Sequence, residues 1–235
     1  MSKLLLRVPE KTLSSPASFA NRKQMSGLIN EAMSKYGDYI KFASENSKIP
    51  MEIIVAFIVV ESGVNPLAGG EGHITQGLMQ WNRTFASSIL SDEKRLGRMT
   101  PNEEKKLNEY DIFFTNDGRT RAITNADQKK PELNIIIGSI ILGQLIDSIV
   151  DGKKSAKKWG TDENGNVRLD RIIAVYNAGA YGDTGKKARL GNYATPTDLA
   201  NVVNSITSAY IKKIYGTNGV LDVATSDAKS AFKYA

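Results

Sequence analysis

Residues 51–66 read Met51-Glu52-Ile53-Ile54-Val55-Ala56-Phe57-Ile58-Val59-Val60-Glu61-Ser62-Gly63-Val64-Asn65-Pro66. From Ile53 to Val60 every side chain is apolar, and the turn-forming Ser62-Gly63-Val64-Asn65-Pro66 stops the run. Pro50 ahead of it suits the first turn of a helix. A helix over about 50–62 that is apolar on nearly all sides has no face to give to solvent, so it is expected at the centre of a helical core. Glu61 then falls at the helix C-terminus. Burial takes hydration from its carboxylate and the negative end of the helix dipole repels it, and both disfavour ionisation. A carboxylic acid kept protonated near neutral pH can protonate a leaving group. The plain alternative is a solvated glutamate at a helix end.

Helical spacing continues on both sides. Leu28, Ile29, Ala32, Met33, Tyr36, Ile40 and Ala43 recur at three and four residues, which predicts an amphipathic helix from Ser26. Residues 82–97 read as helical. Thr100-Pro101-Asn102-Glu103 is a capping-box opening for a helix to about Tyr110. Residues 115–130 read as polar loop, with a turn at Asn116-Asp117-Gly118. Pro131 starts an apolar segment to Val150, whose length favours helix over strand. Gly138 and Gly143 within it cost about 1 kcal/mol each against alanine, so a close helix contact is expected at both. Asn164-Gly165 predicts the tip of a small hairpin. Asp170 is expected to cap a helix through Ala178, and Gly179–Thr195 reads as a loop. Leu199, Val202, Val203, Ile206, Tyr210 and Ile214 predict one last helix over 196–215. The expected organisation is an arm over 1–24, one mainly helical domain over 25–215 with at most a small β-hairpin, and a tail over 216–235.

Composition removes several chemistries. The chain of 235 residues has no cysteine, so disulfides, thiolate metal sites and cysteine nucleophiles are excluded. Its one histidine, His73, lies in a glycine-rich loop with no nucleophile-elbow motif nearby. No metal site and no cofactor is expected. The net charge of +6 is compatible with an anionic partner, but it is spread along the chain. The one local basic knot, Lys153-Lys154 with Lys157-Lys158, lacks interleaved aromatics, so nucleic-acid binding is not expected. The apolar run Leu4-Leu5-Leu6 is too short for a signal peptide, and the runs at 53–60 and 135–142 are too short to span a membrane.

Three motifs stand in order: Glu61-Ser62-Gly63-Val64-Asn65-Pro66-Leu67-Ala68, then Gly77-Leu78-Met79-Gln80, then Ala174-Val175-Tyr176-Asn177-Ala178-Gly179. A fourth, Asn134-Ile135-x-x-Gly138-x-x-Ile141-Leu142, lies between the second and third. Over about residues 40–215 this resembles the catalytic domain of the soluble lytic transglycosylase family, on a lysozyme-like fold. The resemblance implies that Glu61 is the single catalytic acid/base. It would protonate the glycosidic oxygen between MurNAc and GlcNAc in peptidoglycan, then take the proton of the MurNAc 6-hydroxyl as that oxygen closes onto C1. The product is a 1,6-anhydro sugar and no water is consumed, so one carboxylate suffices where most glycosidases use two. Ser62 would support the helix end, Met79 and Gln80 would line the cleft, Tyr176 would orient Glu61 and Asn177 would hold its loop. Met79 and Tyr176 also admit the reading of plain core residues. Trp81, Tyr181 and Tyr193 are further candidates for stacking on sugar rings.

The chain departs from the family pattern at His73-Ile74-Thr75-Gln76 before the second motif, at Trp81-Asn82-Arg83-Thr84 after it, and in a longer stretch between Gln80 and Asn134. That stretch, about 81–130, reads as a lid or a docking surface. Two alternatives stay open: a muramidase that uses water, similar to goose-type lysozyme, with Glu71 or Asp183 as second carboxylate, and a silent structural or peptidoglycan-binding protein. The expected partners are peptidoglycan glycan strands and, through the termini or the 81–130 stretch, tail or baseplate proteins of a bacteriophage. The expected setting is a phage virion acting in the bacterial periplasm.

Overall fold

The structure, a computed structural model, describes residues 10–14, 19–70, 72–150, 167–179, 183–190, 193 and 195–232. The hairpin expected at 164–165, the basic knot at 153–158, Glu71 and Tyr181 lie outside them. Among the described residues the chain is mainly α-helical. It divides into two compact units, one from the described parts of Met1–Asn30 and Leu145–Tyr234, the other from Glu31–Gln144. No helix among the described residues is long and apolar enough to cross a membrane.

In the Glu31–Gln144 unit, helix α2 (Met51–Ser62) buries Ile53 through Val59 without interruption. Each large side chain taken from water there contributes roughly 1.5–3 kcal/mol. Helix α1 (Arg22–Ser47) brings Ile40 and Ala43 to the core, and α6 (Pro131–Val150) brings Leu133 and Ile135–Ile137. Along the chain, α3 (Arg83–Arg95) and α4 (Pro101–Asn108) come between α2 and α6. Thr100 closes the capping box read from the sequence: its hydroxyl accepts from the Glu103 N–H and the Glu103 carboxylate accepts from the Thr100 N–H. The polar stretch 115–130 has the expected turn, where Gly118 takes a φ of 81° and donates to the Thr115 carbonyl. It also holds a short helix, α5 (Asn125–Gln128), opened by a second capping box at Thr124 and Asp127.

Several expected boundaries move, each for a local reason. Helix α1 starts at Arg22, four residues before Ser26, because Asn21 and Gln24 cap it reciprocally through their side chains and N–H groups. Asp170 does not cap helix α7 (Leu169–Ala178). It lies inside the first turn and accepts two hydrogen bonds from the buried Arg168 guanidinium, at 2.9 and 2.6 Å. The stretch 179–195 contains helix α8 (Asp183–Leu190). The single helix expected over 196–215 is two, α9 (Pro196–Val202) and α10 (Ser205–Tyr215). The Asn204 side chain accepts from the Thr207 N–H and so opens a new helix where the apolar spacing runs on unbroken.

The segments read as arm and tail carry structure of their own. Strand β1 (Glu10–Ser14) pairs in parallel with β2 (Gly216–Thr217), so the strands observed are not a hairpin. Helix α11 (Val220–Thr225) buries Val220, Leu221, Val223 and Ala224. Arg22 gathers the carboxylates of Asp222 and Asp227 with the Asn218 and Ser226 side chains, at 2.7–2.9 Å.

Candidate active site

Glu61 is the penultimate residue of α2 and is half-buried. The helix end beneath it is closed twice. Ser62 Oγ donates to the Ile58 carbonyl at 2.8 Å, and Gly63, left-handed at φ 57°, donates its N–H to Val59 O at 3.1 Å. Val64 follows, also left-handed at φ 69° and buried. A β-branched residue pays for that conformation, and such outliers gather at functional sites. The Asn65 side chain then accepts from the Leu67 N–H, folding the chain toward Ala68.

Ala68 is where the first motif meets the second. Its carbonyl accepts from the Gly77 N–H and from Gln80 Nε2, both at 2.9 Å. Gln80 Nε2 also donates to Gly77 O at 2.8 Å. Gln80 itself is half-buried and sits at φ 48°, a second strained position beside the first motif. Both donor hydrogens of its amide are spent on the loop, so its oxygen is the part of the amide left for an outside partner.

The second motif is in turn fixed to the fourth. Asn134, fully buried on α6, accepts from the Met79 N–H at 2.8 Å. Its amide nitrogen donates to Gln76 O at 3.1 Å and to Gln128 O at 2.8 Å. The Trp81 indole donates to the Asn134 carbonyl at 2.9 Å. Close packing accompanies these bonds. A Cβ on Gly77 would lie 2.3 Å from Asn134 Nδ2, and one on Gly138 would lie 2.5 Å from Met79 Sδ. Gly138 therefore has the contact expected for it. Gly143 does not, since a Cβ there meets nothing within 4 Å among the described residues.

Met79 and Trp81 are buried, Met79 completely. Their side chains belong to the packing between loop and α6, which leaves Trp81 no exposed face for a sugar ring. His73 is exposed and contributes its carbonyl, which accepts from Arg83 and Gln76.

Tyr176 and Asn177 belong to the other unit, at the end of α7, and both are half-buried. Asn177 Oδ1 accepts from the Thr207 hydroxyl of α10 at 2.9 Å. Arg168, the N-cap of that helix, and Arg171 within it donate to Tyr193 O at 2.7 and 3.0 Å, and Arg171 also to Ala188 O. Arg171 lies over the Tyr193 ring, so that ring already has a cationic neighbour. Asp183 is exposed at the first turn of α8.

Among the described residues no group of three His, Asp or Glu side chains is disposed to hold a metal. Two network residues carry no role in the sequence reading: Asn134, which stands first in the fourth motif, and Gln128, which stands in none. Asn134 had a legible signal, a lone amide in the otherwise apolar Leu133–Ile137. Gln128 had none, because it stands in a polar stretch. A comparison with protein-family models finds no match, and a comparison with curated proteins finds none either.

Proposed function

We propose that this chain is a peptidoglycan lytic transglycosylase on a lysozyme-like domain, with Glu61 as its general acid and base. The observation that carries the reading is the joining of three separated motifs. Glu61–Ala68, Gly77–Gln80 and Asn134–Leu142 share one network through Ala68 O and the Asn134 amide. Motifs that merely recurred in sequence would have no reason to bond to each other. Glu61 stands at the end of the buried helix from which this network departs.

In the proposed step Glu61 gives its proton to the glycosidic oxygen as the MurNAc C1–O bond breaks. Its carboxylate then accepts the proton of the MurNAc 6-hydroxyl while O6 bonds to C1. The proton count closes on Glu61 and water is not consumed. In this reading the Gln80 amide oxygen accepts from the glycan, its amide nitrogen being held by Ala68 O and Gly77 O. The third motif is tested separately, by Tyr176→Phe.

The deciding experiment is digestion of purified peptidoglycan by the wild type and by Glu61→Gln, with mass analysis of the soluble products. Anhydro-muropeptides from the wild type alone are expected. Reducing-end products would replace the lyase with a hydrolase, and no product from either protein would remove the enzymatic reading. The phage tail or baseplate setting has its own test, since absence of the chain from purified virions would end it.

A further inference from the structure

Gln128 closes the stretch 81–130 that the sequence presents as a lid or docking surface. Its side chain is fully buried. The amide nitrogen donates to Trp81 O at 2.7 Å and to Ile74 O at 3.2 Å, residues 47 and 54 positions away. Its own main-chain carbonyl takes the bond from Asn134. The Gln128 amide oxygen, by contrast, is buried with no hydrogen-bond partner.

The amide nitrogen satisfies two main-chain carbonyls that an apolar side chain of the same shape would leave bare, so the glutamine contributes both stability and geometry. Its two bonds grip both ends of the segment Ile74–Trp81, which carries Met79 and the left-handed Gln80. Gln76 repeats the pattern inside that segment: its nitrogen donates to Gly70 O and His73 O, and its oxygen is also buried without a partner.

We infer that Gln128 is a positioning residue, by which the 81–130 stretch sets the conformation of the Ile74–Trp81 segment at the proposed glycan site. This rests on the lytic transglycosylase reading for its catalytic consequence, but not for its structural one. Two readouts separate them. The first is amide hydrogen exchange in the wild type and in Gln128→Met, a near-isosteric apolar variant. Exchange in 74–81 is expected to accelerate at least tenfold, with α2 and α6 unchanged. The second is turnover of soluble glycan strands, where kcat is expected to fall roughly tenfold, more than KM rises, because small misplacements act on the reacting geometry.

Gln128→Glu provides a second variant should Gln128→Met fail to fold. At pH 7 its carboxylate opposes both carbonyls. Once protonated it regains one O–H donor, and protection of 74–81 is expected to return. Unchanged exchange in 74–81, or acceleration spread evenly over the chain, overturns the inference. Local acceleration with a wild type that makes no product keeps the brace and removes the reaction. Local acceleration with unaltered kcat overturns the positioning role.

Discussion

Asn134→Ala tests whether the motif network is held together by the bonds described. The substitution removes the acceptor for the Met79 N–H and the donor shared by Gln76 O and Gln128 O. All three bonds are buried with Asn134, which has no exposed surface. A buried polar group deprived of its partner costs about 1–3 kcal/mol. Partial relaxation across three neighbours brings the sum to about 3–6 kcal/mol. Against a total stability of about 5–15 kcal/mol this is a large share. The expected melting temperature falls by roughly 6–24 °C. Urea unfolding followed by far-UV circular dichroism and by tryptophan fluorescence gives the loss directly, Trp81 reporting from its bond to Asn134 O. Asn134→Asp is the companion: it keeps the acceptor but turns an oxygen toward the two carbonyls. Its loss at pH 7 is expected to match or exceed that of alanine and to shrink as the carboxyl protonates. A loss below about 1 kcal/mol for Asn134→Ala would refute the argument, because no reading of three buried bonds allows it.

Three further outcomes follow from named contacts. Gly138→Ala is expected to destabilise by about 1–3 kcal/mol, since the new methyl meets Met79 at both Sδ and Cβ, whereas Gly143→Ala is expected to be neutral or to stabilise by up to about 1 kcal/mol; thermal melts of the pair decide. At Asp127 burial pushes the carboxyl up, but hydrogen bonds from the Arg121 guanidinium, the Thr124 N–H and the Thr124 hydroxyl outweigh it and hold it well below the usual carboxylate range. Its folded pKa is thus lower than its unfolded value of about 4, so its stabilisation is complete above that pH and is lost as pH falls below it; urea titrations from pH 6 to 2 should show Asp127→Asn losing less over that range than the wild type. Arg22→Ala is expected to expose 218–227 to limited proteolysis before any other described segment, because Arg22 ties Asp222, Asp227, Asn218 and Ser226 to the start of α1.

The sequence was most legible where one local signal decides the outcome. Helix α2 declares itself by eight apolar residues in succession, and Thr100 by a capping box that needs only four residues to close. It was least legible where local signals compete or distant ones intervene. Apolar spacing over 196–215 predicts one helix, yet Asn204 offers the backbone a cap that the spacing does not register. The stretch 216–225 looks sparse in large apolar groups, but Val220, Leu221 and Val223 are enough for a short buried helix when Arg22 neutralises its acidic neighbours. For the candidate site, Glu61 and Gln80 could be named from motifs. Of the residues that fix their loop, Asn134 stands in the fourth motif, but Gln128 could not be named, because it is defined by carbonyls 47 and 54 positions away.

On the proposed reading Glu61 both gives and takes a proton, which needs a fixed position more than a second partner, and the two sides of the residue differ in how they supply it. On the N-terminal side α2 is buried on every face from Ile53 to Val59. Rotating or sliding that helix would drive neighbouring side chains apart, so this side is rigid through packing. On the C-terminal side the chain leaves through strained Val64 and reaches a loop held by amide bonds: Ala68 to Gln80, Met79 to Asn134, Trp81 to Gln128. Packing tolerates small exchanges of apolar volume, whereas hydrogen bonds fail at once when a donor is removed. Loss of function without loss of fold is therefore expected from the half-buried Gln80 and not from the helix, whereas the fully buried Asn134 loses both. Ile54→Val should cost about 0.5–1.5 kcal/mol in urea unfolding and leave turnover of glycan strands within twofold, while Gln80→Met should do the reverse. If both variants lose turnover in proportion to stability, the division of labour between packed helix and amide-held loop does not exist.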